Sequence, residues 1–297
     1  MLGLNLLIAV LFCGGKYAGE FQNLGVGARI CAMGEAGIAQ CQDPSGIALN
    51  PSGSVELPRS LILMHAENFT GIVKNEFGSV VFPRETGAFG FGLQAVLVND
   101  IKLTTLPDTT LPPGPDNPPV TKDTVATKDI IFYLNASKKN GLFSYGTNLK
   151  VYYRNLYLIS GFGGGIDAGL RVSLSNLDIG AVVRDIVLAP IIWDNKTREN
   201  ISPRLGFGIA PKIPITRLNS EWVMEADLLK NLEQNDFNLK IGFEYNYKNI
   251  ISGRLGKTEQ RYTMGMGLKY KRIIFDYALL THSELGVSHK FSCGLKF

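Results

Sequence analysis

FNLKIGFEYN, residues 237–246, reads as two interleaved rows. Phe237, Leu239, Ile241, Phe243 and Tyr245 are apolar or aromatic, and between them stand Asn238, Lys240, Gly242, Glu244 and Asn246. Successive side chains of a β-strand point to opposite faces, so this stretch suits a strand with one face in hydrocarbon and the other in water. A transmembrane strand tilted by about 45° needs roughly 9–11 residues to cross the bilayer core. The segment has that length.

Two further stretches repeat the theme. In 143–154, Phe143, Tyr145, Thr147, Leu149, Val151 and Tyr153 alternate with Ser144, Gly146, Asn148, Lys150, Tyr152 and Arg154. In 263–271, Met264, Met266, Leu268 and Tyr270 alternate with Thr263, Gly265, Gly267, Lys269 and Lys271. Soluble antiparallel sheets also alternate, so number and spacing must decide. Alternation predicts strands at 58–66, 73–83, 87–99, 126–138, 142–154, 157–173, 176–188, 202–212, 218–229, 236–246, 249–257, 261–271, 272–280 and 287–297. That makes about fourteen, an even number as single-chain bacterial barrels require. Long connections, 100–125 and 189–201, follow odd strands, whereas those after even strands are tight, as at Lys139-Asn140-Gly141. The rhythm predicts an all-β, transmembrane, antiparallel up-and-down barrel with both ends in the periplasm and the long loops outside.

Composition agrees. The chain is 45% hydrophobic with 33 Gly, 16 Phe and 11 Tyr, and its mean hydropathy is only +0.08. It has no apolar run of the 18 or so residues that a membrane helix needs. Leu6 to Phe12, followed by Gly14, Gly15, Ala18 and Gly19, reads as an export signal, 1–19, with cleavage near Gly15 or Gly19. Phe12 before Cys13 departs from a lipoprotein box. Residues 20–57, rich in Gly, Ala and small polar residues and without alternation, are expected to form a plug inside the barrel, which occupies 58–297. Cys31 and Cys41 lie close enough in sequence to bridge in an oxidising periplasm or to stand as small buried thiols.

Formal net charge is +4, with the basic residues scattered, which gives no footprint for nucleic acid. Gly253-Arg254-Leu255-Gly256-Lys257-Thr258 contains a GKT, but Ile251 stands where a phosphate loop needs its first glycine and no helix follows. Gly161, Gly163, Gly164 and Gly165 lack the βαβ unit of a dinucleotide site. His65, His282 and His289 have neither ligand spacing nor a neighbouring nucleophile. No enzyme, cofactor or metal is expected.

Two candidate functional surfaces remain. The inward rows carry Arg204, Lys212, Glu221, Glu225, Asp227, Lys240 and Glu244, either paired across strands or lining a solute path. The Pro-rich loop around Leu111-Pro112-Pro113-Gly114-Pro115 is an extended exposed loop or a docking strip. The last strand presents Phe291, Cys293, Leu295 and Phe297 on one face. Phe291, Leu295 and the terminal Phe297 resemble the signal read by the outer-membrane assembly machinery.

Val26-Gly27-Ala28-Arg29, Ala32-Met33-Gly34-Glu35-Ala36-Gly37, Asp43 and Asn50-Pro51-Ser52-Gly53 resemble the opening of the PorV/PorQ family, which is related to FadL-type outer-membrane transporters. Glu35, Gln42 and Ser52 depart from its pattern. Phe275-Asp276-Tyr277-Ala278, Leu285-Gly286, His289 and residues 292–297 resemble the family's last hairpin. The resemblance implies an outer-membrane location and a plugged barrel, with Gly27, Ala28, Arg29, Met33, Gly34, Asp43, Asn50 and Pro51 as the plug motif.

Two roles follow from it, with a purely structural or adhesive barrel as a third. A PorV-like role implies handover of exported cargo proteins within type IX secretion. A FadL-like role implies a hydrophobic ligand held in the barrel and released sideways or inward, with an apolar pocket beside Asn50 and Pro51; a filled, polar lumen would remove that idea. Outer-membrane lipid is the expected surrounding in every case.

Overall fold

The computed structural model describes residues 18–186, 189–233 and 237–297. The export-signal expectation and Cys13 therefore lie almost wholly outside the described residues. Sixteen strands are present among them: β1 Ser60–Asn68, β2 Val73–Pro83, β3 Gly87–Thr105, β4 Val120–Asn140, β5 Phe143–Asn155, β6 Ser160–Ser173, β7 Leu177–Arg184, β8 Ala189–Trp193, β9 Arg198–Ile201, β10 Arg204–Ile215, β11 Ser220–Asn231, β12 Phe237–Tyr247, β13 Ile251–Lys257, β14 Tyr262–Tyr270, β15 Ile273–His282 and β16 Gly286–Lys296.

Fourteen of them close a ring. Neighbours in sequence pair antiparallel from β1 to β7 and from β10 to β16, β7 pairs with β10, and the last strand returns to the first from Ser60↔Lys296 to Glu67↔His289. Closure leaves no unpaired edge around the wall. The outward rows are those that alternation assigns: Tyr262, Met264, Met266, Leu268 and Tyr270 on β14 are exposed while Thr263 between them is buried.

The expected loops differ in two places. β3 runs on to Thr105 and β4 starts at Val120, so 101–105 and 120–125 form a two-stranded ribbon and the loop proper is 106–119. In 189–201, β8 and β9 form a hairpin, and β8 pairs with β6 at Gly161↔Trp193. Both lie at the end of the barrel that carries the long connections: 101–105 and 120–125 have two largely wet faces without apolar alternation, and in β8 the buried row Ala189, Ile191 and Trp193 is too short for alternation to assign.

Residues 18–57 lie inside the ring. They form one short helix, α1 Ala28–Ala32, and tight turns at Glu20–Asn23, Pro44–Ala48 and Pro51–Glu56. Asp43 and Asn50 cap the latter two, accepting from the Ser45 and Ser52 amides at 2.8 and 3.1 Å, with Pro44 and Pro51 in the first helical position. A short side-chain acceptor followed by proline is a local stop-and-turn signal that needs no tertiary help. Small residues let the segment reach the wall. Gly34 has φ +68°, and a Cβ there would lie 2.5 Å from the Ile241 carbonyl oxygen of β12.

Candidate functional site: the interior and its N-terminal segment

The inward acids of β11 are hydrogen-bond acceptors for the backbone of the N-terminal segment. Asp227 accepts from the Gly37 and Ile38 amides at 2.7 and 3.1 Å, and Glu225 from the Ala39 and Gln40 amides at 2.9 and 3.0 Å. An extended stretch inside a barrel has no strand beside it, so these carboxylates do what a sheet partner would do for its amides.

Charged side chains extend the same contact. Arg29 on α1 makes two 2.9 Å hydrogen bonds to the Glu244 carboxylate on β12, and Arg254 on β13 joins Glu244 at 2.5 Å and Asp276 on β15 at 2.6 Å. Lys240 reaches Glu35 at 3.2 Å, Arg204 donates to Asn23, and Arg171 pairs with Glu56. Lys212 pairs with Asp178 at 2.5 Å, and Glu221 lies half-buried at the end that carries the tight turns. Cross-strand pairing therefore holds Lys212, with Asp178 on β7, and part of Glu244, with Arg254 on β13, whereas Arg204, Glu225, Asp227 and Lys240 are held by the segment. Asp227 and Lys240 stand opposite each other in register, yet each turns to the segment.

The remaining motif residues are placed as follows. The Gly27 amide approaches the Met64 sulfur at 3.1 Å, and the Ala28 amide donates to Ser292 Oγ at 2.8 Å. Met33 is fully buried beside Gly242, and the Gly34 amide donates to Thr263 Oγ1 at 2.9 Å. The Asn50 amide group donates to the Ile38 carbonyl at 2.8 Å, and the Pro51 carbonyl accepts from Asn135 at 3.1 Å. At the seam, Phe291, Leu295 and Phe297 are exposed on the outer face. The Arg59 guanidinium lies over the Phe297 ring at 4.7 Å, while the Phe297 amide bonds to the Arg59 carbonyl at 2.9 Å.

No bridge joins Cys31 to Cys41, and both are free thiols. Burial pushes the Cys31 thiol up, and pushes that of Cys41 up to about 12.

One group escaped sequence reasoning. Lys150 on β5, 1% exposed, lies 2.7 Å from both Asp167 on β6 and Asp185 after β7, and the Tyr152 hydroxyl donates to Asp185 at 2.6 Å. Alternation places Lys150 and Tyr152 inward. Nothing local to Asp185 points to them, because the contact is made by chain closure.

Among the described residues, Asn50 and Pro51 leave no room on their wall side for the apolar pocket expected beside them. Both pack on the wall there, and a Cβ on Gly169 would meet the Asn50 side chain at 2.0 Å. The buried apolar contacts form one cluster that runs from Leu57, Val81 and Ala88 near the tight turns, through Ile47 and Leu49, to the loop end, where Phe21, Val26 and Ile30 of the segment join Tyr133, Tyr152, Ile191, Trp193 and Ile201. The Phe21 ring meets Tyr152 edge-on at 5.6 Å. Polar vestibules of about 470 Å³ at the turn end and about 480 Å³ at the loop end flank the segment, and the space between Ile30, Tyr133 and Arg184 is about 60 Å³.

No protein-family model matches the sequence, and no curated protein matches it. Solved structures match in fold. A deltaS2S3 mutant of the monoaromatic hydrocarbon channel TodX superposes with a TM-score of 0.62 at 12% identity, over 92% of this chain and 99% of that one. The Pseudomonas putida toluene transporter TodX gives 0.61 at 13% identity over 91% and 96%. The monoaromatic hydrocarbon channel CymD gives 0.59 at 13% over 92% and 98%. The chain shares the closed fourteen-strand barrel of these outer-membrane channels.

Proposed function

We propose that this protein is an outer-membrane channel for small hydrophobic molecules, held shut by residues 18–57 acting as a plug. The observation that carries this reading is the apolar cluster built by Phe21, Val26 and Ile30 against Tyr133, Tyr152 and the β8–β9 hairpin. It lies under the loop end, where a solute arriving from outside first leaves water. The fold shared with TodX and CymD supports it. The adjoining space of about 60 Å³ is smaller than the roughly 150 Å³ of a dry cavity known to take benzene. The interior as it stands is filled, which counts against a standing channel, so the reading holds only for a segment that moves: entry requires Ala18 to Asn23 to withdraw, and passage onward requires the segment to give up its bonds to Glu225 and Asp227.

Trp193 in the cluster is the reporter. In a Trp222→Phe variant in lipid nanodiscs, toluene should shift the remaining Trp193 emission saturably, and the added Ile191→Glu change should abolish the shift. A linear, unsaturable response identical in both variants would defeat the reading.

One observation favours a second reading, protein handover at the surface. β2 stops pairing with β3 at Val98, and β5 stops pairing with β4 at Lys128, so 101–105 and 120–125 pair only with each other. A free ribbon with two open edges can accept a strand from another chain. Recovery of exported proteins with the whole barrel, lost when 101–125 is replaced by a short turn, would support it; recovery of the barrel alone would count against it.

A further inference from the structure

The outward rows of the ring are mostly apolar, with Lys128 and Lys138 on β4 and a further group on β1 and β2 as charged exceptions. On β5–β7 and β10–β15 the outward rows carry charge only at strand ends. On the β1–β2 hairpin they carry Glu67 and Lys74 at the strand ends and, further in, His65 and Glu76. His65 Nδ1 and Glu76 Oε1 share a hydrogen bond of 2.6 Å, His65 Nε2 lies 3.9 Å from Glu67 Oε1, and Glu67 stands opposite Lys74 in register. Beside them on the same face, the Tyr277 hydroxyl and His289 Nδ1 are 2.8 Å apart. Charge facing lipid is costly towards the bilayer centre and cheap only near its surfaces.

The same face is also dented. A barrel is convex outside, yet a groove of about 970 Å³ runs diagonally across the seam from Ile251 and Leu268 to His65 and Glu76. Its floor is low where Gly78, Ala95 and Cys293 point outward between Leu93, Phe275 and Phe291. An apolar trough that ends at the His65–Glu76 pair, with Glu67 and Lys74 one residue pair beyond it, has the chemistry of a receptor for an amphiphile. The carboxylates complement an ammonium, and Lys74 complements a phosphate one residue pair away.

We infer that this groove is a specific site for one phospholipid with a zwitterionic, primary-ammonium head group. The acyl chains lie along the trough and the head group meets the His65–Glu76 pair. The inference needs the barrel to stand in a membrane but is independent of what passes through its interior.

The test is native mass spectrometry of the full chain released from nanodiscs of equal parts phosphatidylethanolamine and phosphatidylglycerol. One phosphatidylethanolamine should stay bound per barrel, enriched about tenfold over phosphatidylglycerol, the ratio that one charge-assisted hydrogen bond supports. Glu67→Gln with Glu76→Gln should keep a bound lipid but lose the class preference. Ala95→Trp, which fills the trough, should lose the lipid altogether. Cys293→Trp replaces it if Ala95→Trp lacks the folded barrel's heat-dependent gel shift. Retention in the bulk ratio, retention unaffected by filling the trough, or a second copy of the chain on this face would each overturn the inference.

Discussion

Arg29 and Glu244 meet inside the barrel through two hydrogen bonds of 2.9 Å, with side chains 5% and 0% exposed. One belongs to the N-terminal segment and the other to the wall, 215 residues later. Breaking a buried pair by removing one partner costs about 3–5 kcal/mol. Arg254 also holds Glu244, so Arg29→Met does not leave the carboxylate alone and should fall at the low end of that range. Planar-bilayer recordings should show a higher resting ion conductance for Arg29→Met than for the parent, with the barrel still folded. Equal conductance would mean that the pair does not hold the segment in place.

Asp227 and Glu225 anchor four consecutive backbone amides. Because the donors are main-chain groups, no substitution in 37–40 other than proline removes them, whereas Asp227→Asn with Glu225→Gln weakens all four together. Limited proteolysis should then cut within 35–42 several-fold faster than in the parent. Unchanged protection there would assign the anchoring to other contacts.

Gly34 occupies a left-handed conformation against the Ile241 carbonyl and the Lys257 backbone. Gly34→Ala should lose about 1–2 kcal/mol from the backbone conformation alone, plus the displacement that the Cβ forces on the segment. Urea titration followed by cleavage of the segment reads the loss. Gly71→Ala, with φ +89° but nothing within 4 Å of the added Cβ, separates backbone strain from collision and should cost less.

Acid should release the segment. Burial by itself would raise the Glu35 carboxyl, but Lys240, Lys290 and Arg261 outweigh it and hold it below the usual carboxylate range. A group whose folded value is depressed contributes fully above its unfolded value, about 4.3 for Glu. It loses that contribution as pH falls through the folded value. Protection factors of residues 30–36, corrected for the pH dependence of intrinsic exchange, should therefore be flat from neutral pH down to about 4.3 and fall below it, and Glu35→Gln should remove that step. A step of equal size in Glu35→Gln would place the titrating group elsewhere.

The ring was legible because its cause is local. Each residue of 237–246 shows its own preference for lipid or water, so alternation places β12 within a residue of its observed ends, and β2 at 73–83 is matched outright. The interior was less legible because its partners are set by closure. Asp227 and Lys240 both belong to the inward set, but only the folded ring shows Asp227 serving the Gly37 and Ile38 amides and Lys240 serving Glu35. The β8–β9 hairpin was missed because Ala189, Ile191 and Trp193 form too short a row to stand out beside a polar turn.

The central claim is that one row of each ring strand faces acyl chains while the other faces a filled interior, and the two tryptophans test it directly. Trp222 stands in the outward row of β11 at 41% exposed, and Trp193 is buried at 3% under the loop end. In bilayers of bromine-labelled lipid, fluorescence of Trp193→Phe, which retains Trp222, should be strongly quenched, and that of Trp222→Phe, which retains Trp193, should not. Equal quenching of both, or quenching of neither with Trp222 open to aqueous acrylamide, would contradict the transmembrane barrel.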